Sequence, residues 1–192
     1  MEGVINMAIR QLRYEEDEIL KKVSKEIDVI DDKIKDLARD MIDTMYSFDG
    51  IGLAACQVGM LKRMLVYDID YVKDEKKPNP IVLINPVITS RSKQLVTTEE
   101  GCLSFPNVFG NVDRSEKITV EALNLEGKKI IIHAKDIEAV VIQHEIDHLD
   151  GILFLDKAYD VYKYDPDQKA KTEKPKKAKK NKNDKKKVKL KE

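Results

Sequence analysis

The sequence has few cysteines and no long apolar run, and each absence excludes a class of protein. The two cysteines, Cys56 and Cys102, are fewer than a secreted disulfide scaffold usually contains. Both thiols are therefore expected to be reduced, and each is free to act as a ligand, a nucleophile or a packing residue. A transmembrane helix needs about 20 consecutive apolar residues, so no membrane-spanning helix is expected. The first 13 residues have no long apolar stretch and no small-residue cleavage site, which argues against secretion and favours the cytoplasm.

Charge is balanced over the whole chain but not along it. Lys and Arg total 35 in 192 residues, and so do Asp and Glu. Residues 163–192 contain 14 Lys against five Asp or Glu, so the remainder has 21 basic and 30 acidic residues. The apolar periodicity that a packed core requires ends near Tyr164. We therefore expect one globular domain at 1–163 and a lysine-rich, disordered tail at 164–192.

Two segments in the first half of the body have clear periodicity. Apolar residues three or four positions apart predict a helix at 31–48, with Asp31 or Asp32 as its cap. Long apolar and β-branched residues predict strands at 61–69 and 81–88. Pro86 lies inside the second strand and predicts an edge position or an early end to the pairing, because proline cannot donate to the sheet.

The second half predicts a hairpin followed by a helix. Alternating residues at 117–124 and 129–135 flank Glu126 and Gly127, which is typical of a β-hairpin. A helix is expected at 137–149, capped by Asp136 and ended by Gly151. The body is therefore predicted to be α+β, with small mixed or antiparallel sheets packed around this last, buried helix.

The most informative segment, Gln143-His144-Glu145-Ile146-Asp147-His148, lies in that helix. Two histidines four residues apart share one helix face, so both imidazoles can reach a single metal ion. The helix is apolar around most of its circumference, which predicts burial, and a buried imidazole needs a partner. Glu145 can handle the protons of a water molecule on that metal. The combination indicates a hydrolytic metal site rather than two solvated histidines.

The residues alone leave the third ligand open. Catalytic sites of this type use three protein ligands and keep one position for water. His133 is expected to face solvent from its strand, and Cys56 is expected to pack among small residues. Cys102 follows Gly101, which allows the backbone to come close to another group. Several carboxylates also remain candidates.

Three segments occur in a fixed order along the chain: Gly50-Ile51-Gly52-Leu53-Ala54-Ala55-Cys56-Gln57, Glu100-Gly101-Cys102-Leu103-Ser104 and Gln143-His144-Glu145-Ile146-Asp147-His148-Leu149-Asp150-Gly151. They resemble the three signature motifs of peptide deformylase, and the similarity extends over about residues 7–156. The resemblance implies a metal-dependent, cytoplasmic hydrolase that processes N-terminal methionine during protein biosynthesis. Such enzymes remove the formyl group from N-formyl-methionyl ends of nascent polypeptides and release formate.

The resemblance also implies roles for individual residues. It implies that Cys102, His144 and His148 bind one divalent metal ion, which is Fe(II) in the cell, with zinc, nickel or cobalt as substitutes. It implies that Glu145 is the catalytic acid and base. Gln57 and the backbone N–H of Leu103 are implied to face the developing oxyanion, and Gly52 to contact the substrate backbone. An alternative role for Gln57 is to cap a buried backbone group.

A methionine side chain needs an apolar pocket beside the metal. We expect Val140 and Val141, one helical turn before His144, to line it together with Ile51 and Leu103.

Charged neighbours of the motifs are assigned supporting roles. One of Glu99 and Glu100 is expected to orient a histidine ligand. Asp147 is assigned a structural role, and Arg114 is either a surface charge or the partner of a motif carboxylate.

Some features depart from the family pattern. Cys56 stands where the family often has a residue without a thiol, and residues 106–110 contain no arginine, unlike some relatives. The segment 163–192, with a net charge of +9, is suited to bind the phosphates of ribosomal RNA, and a solubilising charge run is the alternative. Two other function classes remain: a general metallopeptidase, and a non-catalytic RNA-binding protein stabilised by a metal.

Overall fold

The computed structural model describes residues 8–71 and 77–165. Within these residues, two α-helices accompany two antiparallel sheets, which confirms the α+β prediction. The helices are α1 (Asp32–Ser47) and α2 (Asp136–Leu149). The strands are β1 (Gly52–Ala54), β2 (Met64–Tyr67), β3 (Ile81–Arg91), β4 (Leu95–Cys102), β5 (Phe105–Ser115), β6 (Lys117–Leu123), β7 (Lys129–Lys135) and β8 (Tyr159–Lys163).

The strands form one sheet of five and one of three. The larger has the order β1-β2-β3-β6-β7, and the smaller has the order β4-β5-β8. Helix α2 contacts β1, β2, β6 and β7 of the larger sheet and also β5 of the smaller sheet. The helix that carries the two histidines is therefore enclosed by both sheets.

Helix α1 begins where its cap predicts. The side chain of Asp31 accepts a hydrogen bond from the N–H of Ile34 at 3.0 Å, which satisfies a free donor of the first turn. The predicted apolar stripe is buried except at Phe48, which is 40% exposed; the members that pack against β2 and β3 are Ile34, Leu37, Met41 and Met45. Local spacing and a local cap thus account for this helix.

Helix α2 is buried from Ala139 to Leu149 and ends as expected. Gly151 has a φ of +74°, and its N–H donates to the carbonyl of His148. The prediction that Asp136 caps the helix is wrong, because Lys135 occupies that position and Asp136 is the first helical residue. The N–H of Asp136 still donates to Glu116 at 3.1 Å, so the chain continues its strand pairing until a φ of +53° turns it into the helix.

The predicted hairpin is confirmed. Strands β6 and β7 pair from Lys117 opposite Lys135 to Leu123 opposite Lys129. Gly127, in the connecting turn, has a φ of +73°, a conformation that glycine adopts without strain.

The prediction for Pro86 is confirmed in part: β3 is not an edge strand, but its pairing with β2 ends early. Strand β3 lies between β2 and β6 and continues through Pro86 to Arg91. Pairing with β2 stops at Ile84, and a register shift between Ile84 and Val87 accommodates the residue that lacks an N–H. The strand predicted at 61–69 is shorter than expected and spans Met64–Tyr67.

Strands β4, β5 and β8 were not predicted, and β8 shows that α2 is not the last element. Every residue of β8 is exposed, so burial of one face does not stabilise this strand. It forms because its backbone pairs with that of β5 in antiparallel register.

In the described part of the chain, no helix is long and apolar enough to span a membrane. The predicted tail lies outside the described residues, apart from Tyr164 and Asp165.

Candidate metal centre and active site

Three ligand atoms from distant parts of the chain converge. The ligand atoms of Cys102, His144 and His148 all lie within 4.8 Å of one another. The sulfur of Cys102 is 3.2 Å from Nε2 of His148, and the two imidazole centroids are 5.0 Å apart. Helix α2 supplies both histidines from one face, and the end of β4 supplies the cysteine. One thiol and two imidazoles at this separation can coordinate one metal ion.

The other two candidates for the third ligand lie elsewhere. His133 is exposed on β7, where its Nδ1 lies 3.2 Å from the hydroxyl of Thr119. Cys56 is buried, and its thiol donates to the carbonyl oxygen of His148 at 3.3 Å. Burial raises the pKa of Cys56 to about 12, so this thiol stays protonated at neutral pH.

Glu100, rather than Glu99, contacts a histidine of the cluster. Nδ1 of His144 lies 2.8 Å from Oε2 of Glu100, and a carboxylate acceptor holds the proton on Nδ1. The other imidazole nitrogen is thereby left free to coordinate a metal ion. The guanidinium of Arg114 donates to both oxygens of Glu100, at 2.8 and 2.9 Å.

The same arginine connects Glu100 to Asp147. The third guanidinium nitrogen of Arg114 donates to Asp147, which also accepts from the ammonium of Lys157 at 2.6 and 2.7 Å. Arg114, Glu100 and Asp147 are all buried. Buried charges of this kind are stable only when each has an opposite partner, and here each has one.

These contacts set the charge of the centre. Burial by itself would raise the pKa of Glu100, but hydrogen bonds from Arg114 and His144 lower it to about 2. Burial by itself would lower the pKa of His144, but Cys102 and Glu100 raise it well above its ordinary value. Burial lowers the pKa of His148, which favours the neutral imidazole that a metal requires. The site therefore favours positive charge between the thiol and the imidazoles.

Glu145 is buried beside the cluster. Burial raises its pKa to about 7, so the carboxyl group can hold or release a proton near neutral pH. Its Oε2 has no hydrogen-bond partner among the described residues. A Cβ atom at Gly52 would lie 2.5 Å from Oε1 of Glu145, so only glycine permits this close approach.

Gln57 makes hydrogen bonds at both ends of its amide. Its Oε1 accepts from the N–H of Ala54 at 2.8 Å, which is the backbone cap considered from the sequence. Its Nε2 donates to the hydroxyl of Ser104 at 3.1 Å and lies 3.5 Å from the sulfur of Cys102. The amide is therefore fixed with its N–H₂ group toward the cluster. Ser104 was not singled out from the sequence, although it belongs to the cysteine motif.

A cavity of about 700 Å³ opens beside the cluster. It is lined by the four side chains predicted to form the pocket: Ile51, Leu103, Val140 and Val141. Gly52, Gln57, Cys102, His144 and Glu145 also line it. The predicted site residues therefore surround one space, except for His148, which is 1% exposed and lies beneath it.

One wall of this cavity was not found from the sequence. Strands β4 and β5 supply it, and its residues include Thr98, Glu99, Gly101, Asn107 and Phe109. Of these residues, only Gly101 belongs to one of the three motifs. Prediction of strands β4 and β5 from the sequence would have indicated the others as wall residues.

The chain was compared with known proteins. The family model described as Polypeptide deformylase matches residues 9–163. The peptide deformylase of Acetivibrio thermocellus is 51% identical over 151 residues, which cover 79% of this chain and 84% of that protein. The peptide deformylase of Natranaerobius thermophilus is 45% identical over 157 residues, with coverages of 82% and 97%.

Solved structures are similar over the same region. The crystal structure of peptide deformylase from Thermotoga maritima has a TM-score of 0.73 and 36% identity, and covers 79% of this chain and 98% of that chain. The crystal structure of a peptide deformylase from Legionella pneumophila has a TM-score of 0.74 and 42% identity, with coverages of 80% and 88%.

Proposed function

This chain belongs to the peptide deformylase family, enzymes that remove the formyl group from nascent polypeptides, and we propose which of its residues perform that reaction. We propose Cys102, His144 and His148 as ligands of a divalent metal ion, with Glu145 as the acid and base. The observation that carries the proposal is the convergence of these three ligand atoms within 4.8 Å, beside the same cavity as Glu145.

The donor set fits a divalent cation. It combines a thiol with two imidazoles, and the surrounding hydrogen bonds stabilise positive charge at His144. When bound, such an ion polarises a carbonyl oxygen and lowers the pKa of a water molecule.

Glu145 accepts a proton and then donates it during the hydrolysis. Its carboxylate accepts a proton from the attacking water as the water oxygen bonds to the formyl carbon. The same group delivers this proton to the amine nitrogen as the carbon–nitrogen bond breaks, which yields formate and a free N-terminal methionine. A pKa of about 7 makes both protonation states accessible at neutral pH.

Gln57 and Leu103 stabilise the developing negative charge. The formyl oxygen gains charge during attack, and the Nε2 group of Gln57 and the backbone N–H of Leu103 donate hydrogen bonds to it. The contacts of Gln57 with Ala54 and Ser104 hold its amide in advance, so no reorganisation is needed in the transition state. Loss of one such donor typically costs about 100-fold to 1,000-fold in turnover.

The methionine side chain occupies the apolar part of the cavity, against Ile51, Leu103, Val140 and Val141. Gly52 contacts the substrate backbone, because it has no side chain to hold the peptide away. The variant Val141→Asp tests this pocket. Wild-type turnover of formyl-Met peptides by the folded variant would contradict the assignment.

Formate release tests the chemistry. Wild-type protein should release formate from a formyl-Met peptide, and treatment with a chelator should abolish release. Glu145→Gln should lower turnover by about 100-fold or more while the protein retains its metal. Glu138→Gln is the matched control, because Glu138 lies on the same helix, bonds the hydroxyl of Tyr67 and is not among the residues that line the cavity. Internal cleavage of a free-amine peptide without formate release would instead indicate a general metallopeptidase.

We further propose Fe(II) as the ion in the cell. Thiolate and imidazole ligands suit several divalent metals, so cell supply decides which one is bound. The experiment is metal analysis of protein purified without oxygen. One equivalent of iron, with activity that declines in air, would support Fe(II), and fully active protein that contains only zinc would contradict it.

We propose that residues 1–163 are the catalytic domain and that the basic tail from 164 brings it to ribosomal RNA in the cytoplasm. The tail begins beside the cavity, because the N–H of Tyr164 donates to the carbonyl of Asn107 on the cavity wall. Removal of the residues after Tyr164 should weaken co-sedimentation with ribosomes at low salt and leave turnover of short peptides unchanged. Unchanged co-sedimentation would leave the tail as a solubilising charge run.

A further inference from the structure

Strand β8 contacts the cavity wall without lining the cavity. Tyr162 of β8 pairs with Phe109 of β5 in the antiparallel register. Their rings are stacked, with centroids 5.7 Å apart and an angle of 27° between the planes. Phe109 lines the cavity and Tyr162 does not. Tyr162 therefore supports a wall residue from outside the cavity.

The ring of Phe109 lies against the metal-binding motif. Gly101 and Phe109 are cross-strand partners, and a Cβ atom at Gly101 would lie 2.8 Å from the ring of Phe109. Because Gly101 has no side chain, the ring can pack across the strand directly beside Cys102. Tyr162, Phe109 and Gly101 thus form a continuous contact from the outer strand to the candidate metal ligand.

Tyr162 also interacts with a second residue of the wall. Desolvation and the carboxylate of Glu99 raise the pKa of the Tyr162 phenol, and Glu99 lines the cavity. The Tyr162 side chain therefore stacks on one wall residue, Phe109, and interacts electrostatically with a second, Glu99.

We propose that Tyr162 is a positioning residue for the part of the substrate that follows the formyl-methionine. By stacking on Phe109, it holds that ring in the orientation in which the ring contacts the next residues of the peptide. This inference rests on the proposed function, which assigns the inner, apolar part of the cavity to methionine. The β4–β5 wall is then the surface that the following residues reach.

The physical reason is the entropy of binding. A half-exposed ring on a strand loses rotamer freedom when a peptide packs against it, and that loss weakens binding. Stacking on Tyr162 restricts the ring before the peptide arrives. The interaction free energy of an aromatic pair corresponds to a change in affinity of about threefold to tenfold.

The test compares two substrates that differ in length. Formyl-methioninamide ends at the methionine, whereas formyl-Met-Leu-Phe extends along the wall. Tyr162→Leu, which keeps an apolar side chain on the strand, should raise KM for the longer peptide by about threefold to tenfold and leave its kcat unchanged. Both constants for formyl-methioninamide should stay at wild-type values. Tyr162→Phe keeps the stacked ring and should restore most of the affinity.

Tyr159→Leu is the matched control. Tyr159 lies on the same strand and is 43% exposed, against 45% for Tyr162. Its hydroxyl is 3.2 Å from Asp113 and 3.5 Å from Thr97, and neither of these residues lines the cavity. This variant should leave KM for both substrates unchanged.

A double-mutant cycle checks the coupling. Phe109→Leu should raise KM for the longer peptide, and adding Tyr162→Leu should raise it little further, because the first change already removes the stack. Additive increases in KM from Phe109→Leu and Tyr162→Leu would overturn the proposal. Equal changes in KM from Tyr162→Leu and Tyr159→Leu would also overturn it, and so would a Tyr162→Leu variant that impairs both substrates equally. Absence of formate release from either substrate by wild-type protein would instead contradict the proposed function itself.

Discussion

Nδ1 of His144 lies 2.8 Å from Oε2 of Glu100, so a buried carboxylate fixes the ring of a proposed metal ligand. Loss of such a partner typically costs about 10-fold to 100-fold in metal affinity. Glu100→Gln should weaken metal binding by about that factor, measured by titration against a competing chelator. Glu99→Gln should leave the affinity unchanged, since Glu100 and not Glu99 makes the hydrogen bond to His144. Equal affinities of wild type and Glu100→Gln would contradict the orienting role.

Removal of Arg114 should destabilise the fold strongly. It leaves Glu100 and Asp147 buried without their shared partner, and breaking a buried pair in this way typically costs about 3–5 kcal/mol. Thermal or urea unfolding of Arg114→Met measures the loss. Arg39→Met is the control, because Arg39 pairs with Asp36 on the surface, where both side chains are more than half exposed. Such a surface pair contributes about 0–1 kcal/mol.

The low pKa of Glu100 predicts a stability change in acid. Its pKa is about 2 in the folded protein, against an ordinary value of 4.5. A carboxyl group with a depressed folded pKa contributes stability that is fully present above its unfolded pKa and is lost as the pH falls through the folded value. The free energy of unfolding should therefore decrease from about pH 4.5 toward pH 2, more steeply in wild type than in Glu100→Gln. Parallel pH profiles for the two proteins would contradict the assignment.

A side chain at position 52 should impair turnover more than stability. The added Cβ in Gly52→Ala would displace the carboxyl group of Glu145, and a misplacement of about 1 Å can cost about 100-fold in rate. Gly127→Ala should lower stability more than turnover. Its positive φ strains alanine, and its turn is remote from the cavity. Formate release and melting temperature, measured on both variants, separate the two effects. A fully active Gly52→Ala protein would show that Glu145 needs no such close approach.

The sequence predicted the elements whose determinants are local. Helix α1 follows from its apolar spacing and the Asp31 cap, and the β6–β7 hairpin follows from alternation around Gly127. Strand β8 was missed because all its residues are exposed and it forms only by pairing with β5. The early end of pairing at Pro86 follows from its missing N–H, but its central position in the sheet does not, because the register shift that accommodates it depends on two neighbouring strands.

The sequence by itself determined that His144 and His148 face the same way, because helix geometry brings residues four apart onto one side. It also determined that Glu145 is beside them, and its motifs indicated Cys102 as the third ligand. Only the tertiary structure decided that Glu100, and not the adjacent Glu99, reaches His144, and that Arg114 joins Glu100 to Asp147. Neighbouring residues on a strand point to opposite faces, and only the packing of the smaller sheet against α2 selects the face that meets the histidines.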